Sequence, residues 1–293
     1  MFAAVGIIIV LVMVFGGYTI AGGHLMIIFE ALPFELIIIG GAGVGTFLMA
    51  NDTSVLKHSL SDLVLTFKGP RWRKQDYTDL LCLLFELVRL ARTDQIALEA
   101  HIESPETSDI FARYPGIRQD GFAVTFICDY LRTCAMSFDD PHQVSEIMER
   151  DLELRESEAM RPAIAIQTVA DALPALGIVA AVLGVIKTMA AIDQPPSVLG
   201  RMIGGALVGT FLGVFLSYCL AGPLAARMRT IHEDDHRFYA LIRDVLVAHL
   251  QRHAPNICVE IGRKNVPGAV RPGFIEVEQA LNALKVQVAR QAA

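Results

Sequence analysis

Apolar residues gather in four runs along this chain, with long polar stretches between and after them. The densest pair is a hairpin over residues 171–223. It reads DALPALGIVAAVLGVIKTMA, a break AIDQPPSVLG, then RMIGGALVGTFLGVFLSYCLAGP. Each arm has about 20 mostly apolar residues, which at 1.5 Å per residue cross a bilayer core of about 30 Å. In the second arm Gly205, Gly209, Gly213, Ser217 and Ala221 recur at every fourth position. That spacing puts small side chains on one helical stripe, where backbones can approach closely. Pro174 and Pro223 stand near the inner end of each arm. Their paired placement predicts a hinge, beside the plainer reading that they only kink or end helices.

The other two runs are residues 2–21, a first span, and residues 36–50, a second that Pro33 and Phe34 extend to the interface. Residues 30–35, with Pro33 between two glutamates, read as a short polar break. The string GGAGVG in the second span looks like a phosphate loop but lacks the Gly-Lys-Ser/Thr ending, so it predicts close helix packing. In spans drawn this way the ionisable side chains are Asp171 and Lys187, both near helix ends where water or snorkelling serves them. Toward the middle stand Thr46, Thr210, Ser217 and Tyr218. Hydroxyls can coordinate an ion or bridge water, but they cannot hold and release a proton near neutral pH. An ion path here therefore requires a carboxylate from another chain, which makes this a subunit of a complex. Ion contact and helix packing stand level for Thr210, and Ser217 reads as packing.

The polar stretches are helical in pattern. Residues 77–102 carry an apolar stripe of Leu80, Leu81, Leu84, Leu87 and Val88, with Glu86, Arg89 and Arg92 on the other face, and Pro105 follows. Further helices are expected over 111–136, 142–159, 225–253 and 274–288. The cluster KGPRWRK, with the only Trp, predicts contact with anionic lipid or protein, or a plain topology anchor. No Lys or Arg precedes Lys57, and only Lys187 and Arg201 fall between residues 171 and 223. The short loops 22–33 and 191–200 hold none, so the positive-inside rule puts both termini and both large segments in the cytoplasm. The expectation is an all-α integral membrane protein with four transmembrane helices. Residues 1–50 hold spans one and two, 51–170 a cytoplasmic helical domain, 171–223 spans three and four, and 224–293 a cytoplasmic helix and tail.

Composition agrees: 53% of residues are hydrophobic and 19% charged. The net charge of −6 offers no case for nucleic-acid binding. The first run lacks a basic start, so it reads as a retained span rather than a cleaved signal. The five cysteines form no C-x-x-C pair, which predicts free thiols. One enzyme motif appears: His232, Glu233 and His236 match H-E-x-x-H, two zinc ligands and a base on one helical face. No third ligand stands nearby, although His249 and His253 repeat the spacing, and a solvated charged helix is the commoner reading. No catalytic residue, metal or cofactor is expected.

The strings DALPALGIVAAVLGVI, GALVGTFLGVFLSY followed by GPL, ALPFELIIIGGAGVGTFLMAN, and VEIGRK with RPGFIEVE further on resemble the MotA family of flagellar motor stator proteins. The resemblance runs in order from the first span to about residue 287. It implies an inner-membrane protein that is not an enzyme. It also implies a MotB-type single-span partner that supplies the ion-carrying Asp, and a ring of five such chains around two partners. Ion flow would turn that ring and push the rotor through FliG. Pro174 and Pro223 match the coupling prolines, and Thr210 the pore threonine. Ala181 falls where sodium-type relatives carry a hydroxyl, so the implied ion is H+. Glu99 matches the acidic rotor contact. The basic one falls at Ala91, flanked by Arg89 and Arg92, and Arg92 stands in for it. Gly205, Gly209 and Gly213 are expected to pack helices. The alternatives are an ExbB/TolQ-like energiser, which usually has three spans, a sodium-driven stator, and the zinc peptidase.

Overall fold

The computed structural model describes residues 2–135 and 140–291, and these are helical with short connections. The chain begins with α1 (Phe2–Ile20), α2 (Leu25–Glu35), a π-helical turn (Leu36–Gly40) and α3 (Gly41–Ala50). Then come α4 (Thr53–Lys68), α5 (Lys74–Thr93), α6 (Gln95–Glu103), the single turns α7 (Asp109–Ala112) and α8 (Pro115–Arg118), and α9 (Gly121–Ala135). The long α10 (Pro141–Met189) is followed by α11 (Pro196–Phe215), a second π turn (Leu216–Ala221) and α12 (Gly222–Leu250). α13 (Pro255–Asn265) and α14 (Phe274–Gln291) complete it. Four helical stretches among the described residues are long and apolar enough to cross a membrane: Ala3–Ile20, Leu25–Ala50, Pro141–Met189 and Pro196–Leu250. The chain divides into two compact units, one formed by residues up to Gly69 with Ala159–Ile231, the other by Pro70–Glu158 with the residues from His232 on.

The first unit corrects the expected second span. Residues 30–35 are not a break: the helix begins at Leu25 and runs without interruption to Ala50. Pro33 cannot donate to the carbonyl of Phe29, yet the helix survives, with the π turn three residues on. The connection before this helix shrinks to Ala21–His24, where Gly22 takes a φ of +83° and makes the turn. α11 packs on α2, while Phe15 of α1 sits edge-on against Phe211 and Phe215 at 6.1 and 5.6 Å. Ile39, Leu173, Ala180 and Leu212 form its small buried core.

In the second unit α5 is the central helix. Every residue from Leu80 to Val88 is buried, because α13, α14 and α6 cover its sides. Glu86, expected on a polar face, is therefore 2% exposed. Its carboxylate is satisfied by Arg113 and by the Tyr114 hydroxyl at 2.9 Å. Burial pushes its pKa up, and Arg113 and Tyr114 oppose that shift. The helix expected over 77–102 is two helices: Asp94 leaves the helical conformation and caps α6 by accepting from the Ala97 N–H at 3.0 Å. The helix expected over 111–136 is likewise three short pieces, α7, α8 and α9, and Met136 lies outside the described residues. In the KGPRWRK cluster the Trp72 ring is turned into the unit's own core. It is 5% exposed and stacks on Phe238 at 3.9 Å. The tail motif has a structural basis too: Arg263, 7% exposed, bonds Glu260 and donates to the Pro272 carbonyl at 3.1 Å, tying GRK to RPGF.

Candidate functional site

In the first unit the hairpin arms meet through glycine. A Cβ on Gly213 would lie 2.6 Å from the Leu173 carbonyl oxygen and 2.8 Å from Gly177 Cα. One on Gly177 would lie 2.8 Å from the Gly209 carbonyl oxygen. Further along, Gly184 admits Ala206 in the same way, at 2.6 Å. The backbones of α10 and α11 are thus in direct contact, which only glycine allows. Gly205 differs: its added Cβ would make ordinary contact with Ala31 at 3.9 Å.

Thr210 and Ala181 are both half-buried, each one residue beyond a member of the packed interface, Gly209 and Ala180. Pro174 is half-buried within the continuous α10, and Leu173 beside it supplies the carbonyl that meets Gly213. Pro223 is exposed and sits in the first turn of α12. Just before it the helix widens into the π turn, where the Gly222 N–H donates to the Ser217 carbonyl five residues back. Pro223 brings no N–H and crowds the carbonyl of Cys219, and the wider turn accommodates that ring. Each arm thus has a proline whose backbone bonding departs from a plain α-helix.

A group that the sequence pattern hid lies in the same unit. Glu35 is 7% exposed on α2, and its Oε2 would be 2.7 Å from a Cβ on Gly209. Oε2 has no hydrogen-bond partner among the described residues. Ala180 closes the same notch, 3.2 Å from that Cβ position. The statement that the spans hold only Asp171 and Lys187 is therefore corrected: a carboxylate is buried in the second span. The length of the run from Leu25 to Ala50, 26 residues, was the signal that could have found it.

In the second unit Arg92 and Glu99 are exposed on α5 and α6, and Arg89 is half-buried. The Asp94 cap separates the two helices that carry them. Ala91 and Arg92 line an open pocket of 720 Å³ with Gln95, Leu98, His249 and Arg252. Burial together with Arg92 and Arg252 lowers the pKa of His249. The H-E-x-x-H residues do not assemble a metal centre: His236 faces Glu156 at 3.7 Å, and no group of three His, Cys, Asp or Glu suited to a metal occurs among the described residues. The cysteines are free thiols, as expected from their spacing.

Together these features define a multi-pass helical membrane protein with a glycine-packed span pair and a separate helical unit. Residues 4–95 match the family model described as Motility protein A N-terminal, and residues 123–238 that of the MotA/TolQ/ExbB proton channel family. Motility protein A of Salmonella typhimurium is 39% identical over 97% of this chain and 96% of its own. Among solved structures, C. jejuni MotAB matches with a TM-score of 0.71 at 18% identity, over 91% of this chain and 95% of that one. The flagellar MotAB stator complex from Bacillus subtilis matches with a TM-score of 0.67 at 23% identity, over 88% and 92%. The chain belongs to the motility protein A group of the MotA/TolQ/ExbB proton channel family.

Proposed function

We propose that this chain is the channel-forming stator subunit of a flagellar motor, coupling inward proton flow to torque for motility. It carries out no covalent chemistry. Its partner is a MotB-type single-span subunit whose Asp carries the ion, and several copies of this chain ring the partner's helices, five around two in the family pattern. The assembly sits in the inner membrane with both termini cytoplasmic, in contact with lipid. Four spans and a glycine-packed wall at Gly177, Gly209 and Gly213, in a chain so close to named motility proteins, carry the reading.

In the working cycle, a proton neutralises the partner's Asp beside Thr210 and Ala181. The changed fit biases the α10–α11 wall between two arrangements. Pro174 and Pro223 pass the movement to the cytoplasmic unit, where Arg92 and Glu99, with Arg89 nearby, engage FliG. Exposed charges of this kind contribute at most about 1 kcal/mol each, which suits a contact that must form and release at every step. The methyl group of Ala181 offers no sodium ligand, which favours H+ over a sodium-driven stator. The four spans and the GRK and RPGF tail favour a stator over an ExbB/TolQ-like energiser.

A deletion strain tests the reading. Cells lacking this chain should build flagellar filaments and fail to swim. Missing filaments, or normal swimming without a second stator set, would overturn it. Swimming speed that follows external sodium at constant proton motive force would overturn the ion assignment alone.

A further inference from the structure

We infer that Glu35 is a second proton-binding station of the ion path, carried by this chain rather than by its partner. The inference rests on the stator reading and adds a residue to it. Its side chain is 7% exposed, and Oε2 points into the notch made by Gly209 on α11 and Ala180 on α10. A Cβ at Gly209 would stand 2.7 Å from that oxygen, so glycine is what admits the carboxylate to the helix interface.

The notch does not supply a balancing group. Oε2 has no hydrogen-bond partner among the described residues. Apart from Glu35, the charged side chains of residues 25–50, 171–189 and 196–223 are Glu30 on α2, Asp171 and Lys187 on α10, and Arg201 on α11, and all four are exposed; the other charges of α10 lie at or before Arg161, more than five turns from Ala180. Those on α10 and α11 lie about two turns or more along their helices from Ala180 and Gly209. An unpaired carboxylate charge inside a membrane costs several kcal/mol, so Glu35 has to be balanced by a bound proton or by an arriving cation. Thr210 and Ala181 are the next residues on from Gly209 and Ala180, which sets Glu35 at the depth of the proposed path. A carboxyl there takes up a proton when the path presents one and gives it back when the partner's Asp is empty.

Three measurements on the full complex with its partner test this. Glu35→Gln keeps the shape and cannot titrate. If it assembles, its proton conductance should fall by about a hundredfold, the low end of what a positioned proton-transferring side chain supplies. Glu35→Asp should restore part of it. Wild-type conductance in an assembled Glu35→Gln complex overturns the inference. If Glu35→Gln does not assemble, the wild-type complex decides: a hydrophobic carbodiimide should modify Glu35, faster at low pH, as read by peptide mass spectrometry. Absence of that adduct while the partner's carboxylate reacts overturns it. A swimming deletion strain refutes the stator reading. A non-swimming one with unaltered Glu35→Gln conductance refutes only this residue's role.

Discussion

Replacing Gly213 by alanine tests the contact on which the hairpin depends. The new methyl would start 2.6 Å from the Leu173 carbonyl oxygen and 2.8 Å from Gly177 Cα. Carbon atoms rest at about 3.5–4.0 Å, so the two backbones would have to part by about 1 Å. Both obstacles are main chain and cannot rotate away. Overpacking of this kind costs about 1–3 kcal/mol, and the rigidity of the obstacle places Gly213→Ala at the upper end. The better helix propensity of alanine returns at most about 1 kcal/mol, leaving a net loss of about 2 kcal/mol. Gly121 is the control: it opens α9, is exposed, and its added Cβ would meet nothing within 4 Å. Thermal unfolding of the purified complex should show Gly213→Ala melting several degrees lower and Gly121→Ala at or above wild type. Gly177→Ala attacks the same contact from the other side, so the double variant should cost less than the sum of the singles. A Gly213→Ala complex that melts with the wild type would refute the claim that main chain meets main chain there.

Three more outcomes follow from other parts of the molecule. Trp72→Ala removes the ring stacked on Phe238 and should cost about 3–5 kcal/mol, read as a lower melting temperature or faster proteolysis of the second unit. Asp235 is raised to about 6, chiefly by burial, against the help of a backbone bond from Arg71 and of His232. The folded state then holds its proton more tightly than the unfolded one. Its contribution is fully present below about pH 4 and lost as pH rises toward about 6, so Asp235→Asn should melt with a shallower decline across that window. Pro174→Ala and Pro223→Ala should assemble with the partner yet turn the motor with less torque. Lost assembly would instead make these prolines structural.

The architecture was legible where one physical cause dominates. Long apolar runs and the exclusion of Lys and Arg from short loops point to four spans, because hydrocarbon tolerates little else. The glycine spacing of the second hairpin arm announced close packing before any partner was known. Legibility failed where a local signal met a tertiary answer. Asp94 is a good N-cap, but the apolar stripe continues past it, so α5 and α6 read as one helix. Glu86 and Trp72 looked like surface residues. α5 is enclosed by α13, α14 and α6, and Phe238 waits far along the chain to cover the indole. Nothing in a local window reports an enclosing neighbour.

Glu35 is the instructive failure, because the rule that missed it is the one that makes it informative. Two glutamates and a proline in six residues normally end a span. In water, or in a short helix, they would. Here the helix continues through Pro33 to Ala50 and Glu30 remains exposed, so of the two glutamates only Glu35 enters the packed interior. It can do so because Gly209, on a helix distant in sequence, leaves an empty place of the right size. A glycine stripe and a carboxylate that are each ambiguous alone become specific once they face each other. The same pairing refines the deduction that a partner must supply the titrating group. The described spans of this chain hold one buried carboxylate, facing Gly209, the residue before Thr210, so on the proposed reading the path would have two places to keep a proton, one on each kind of chain.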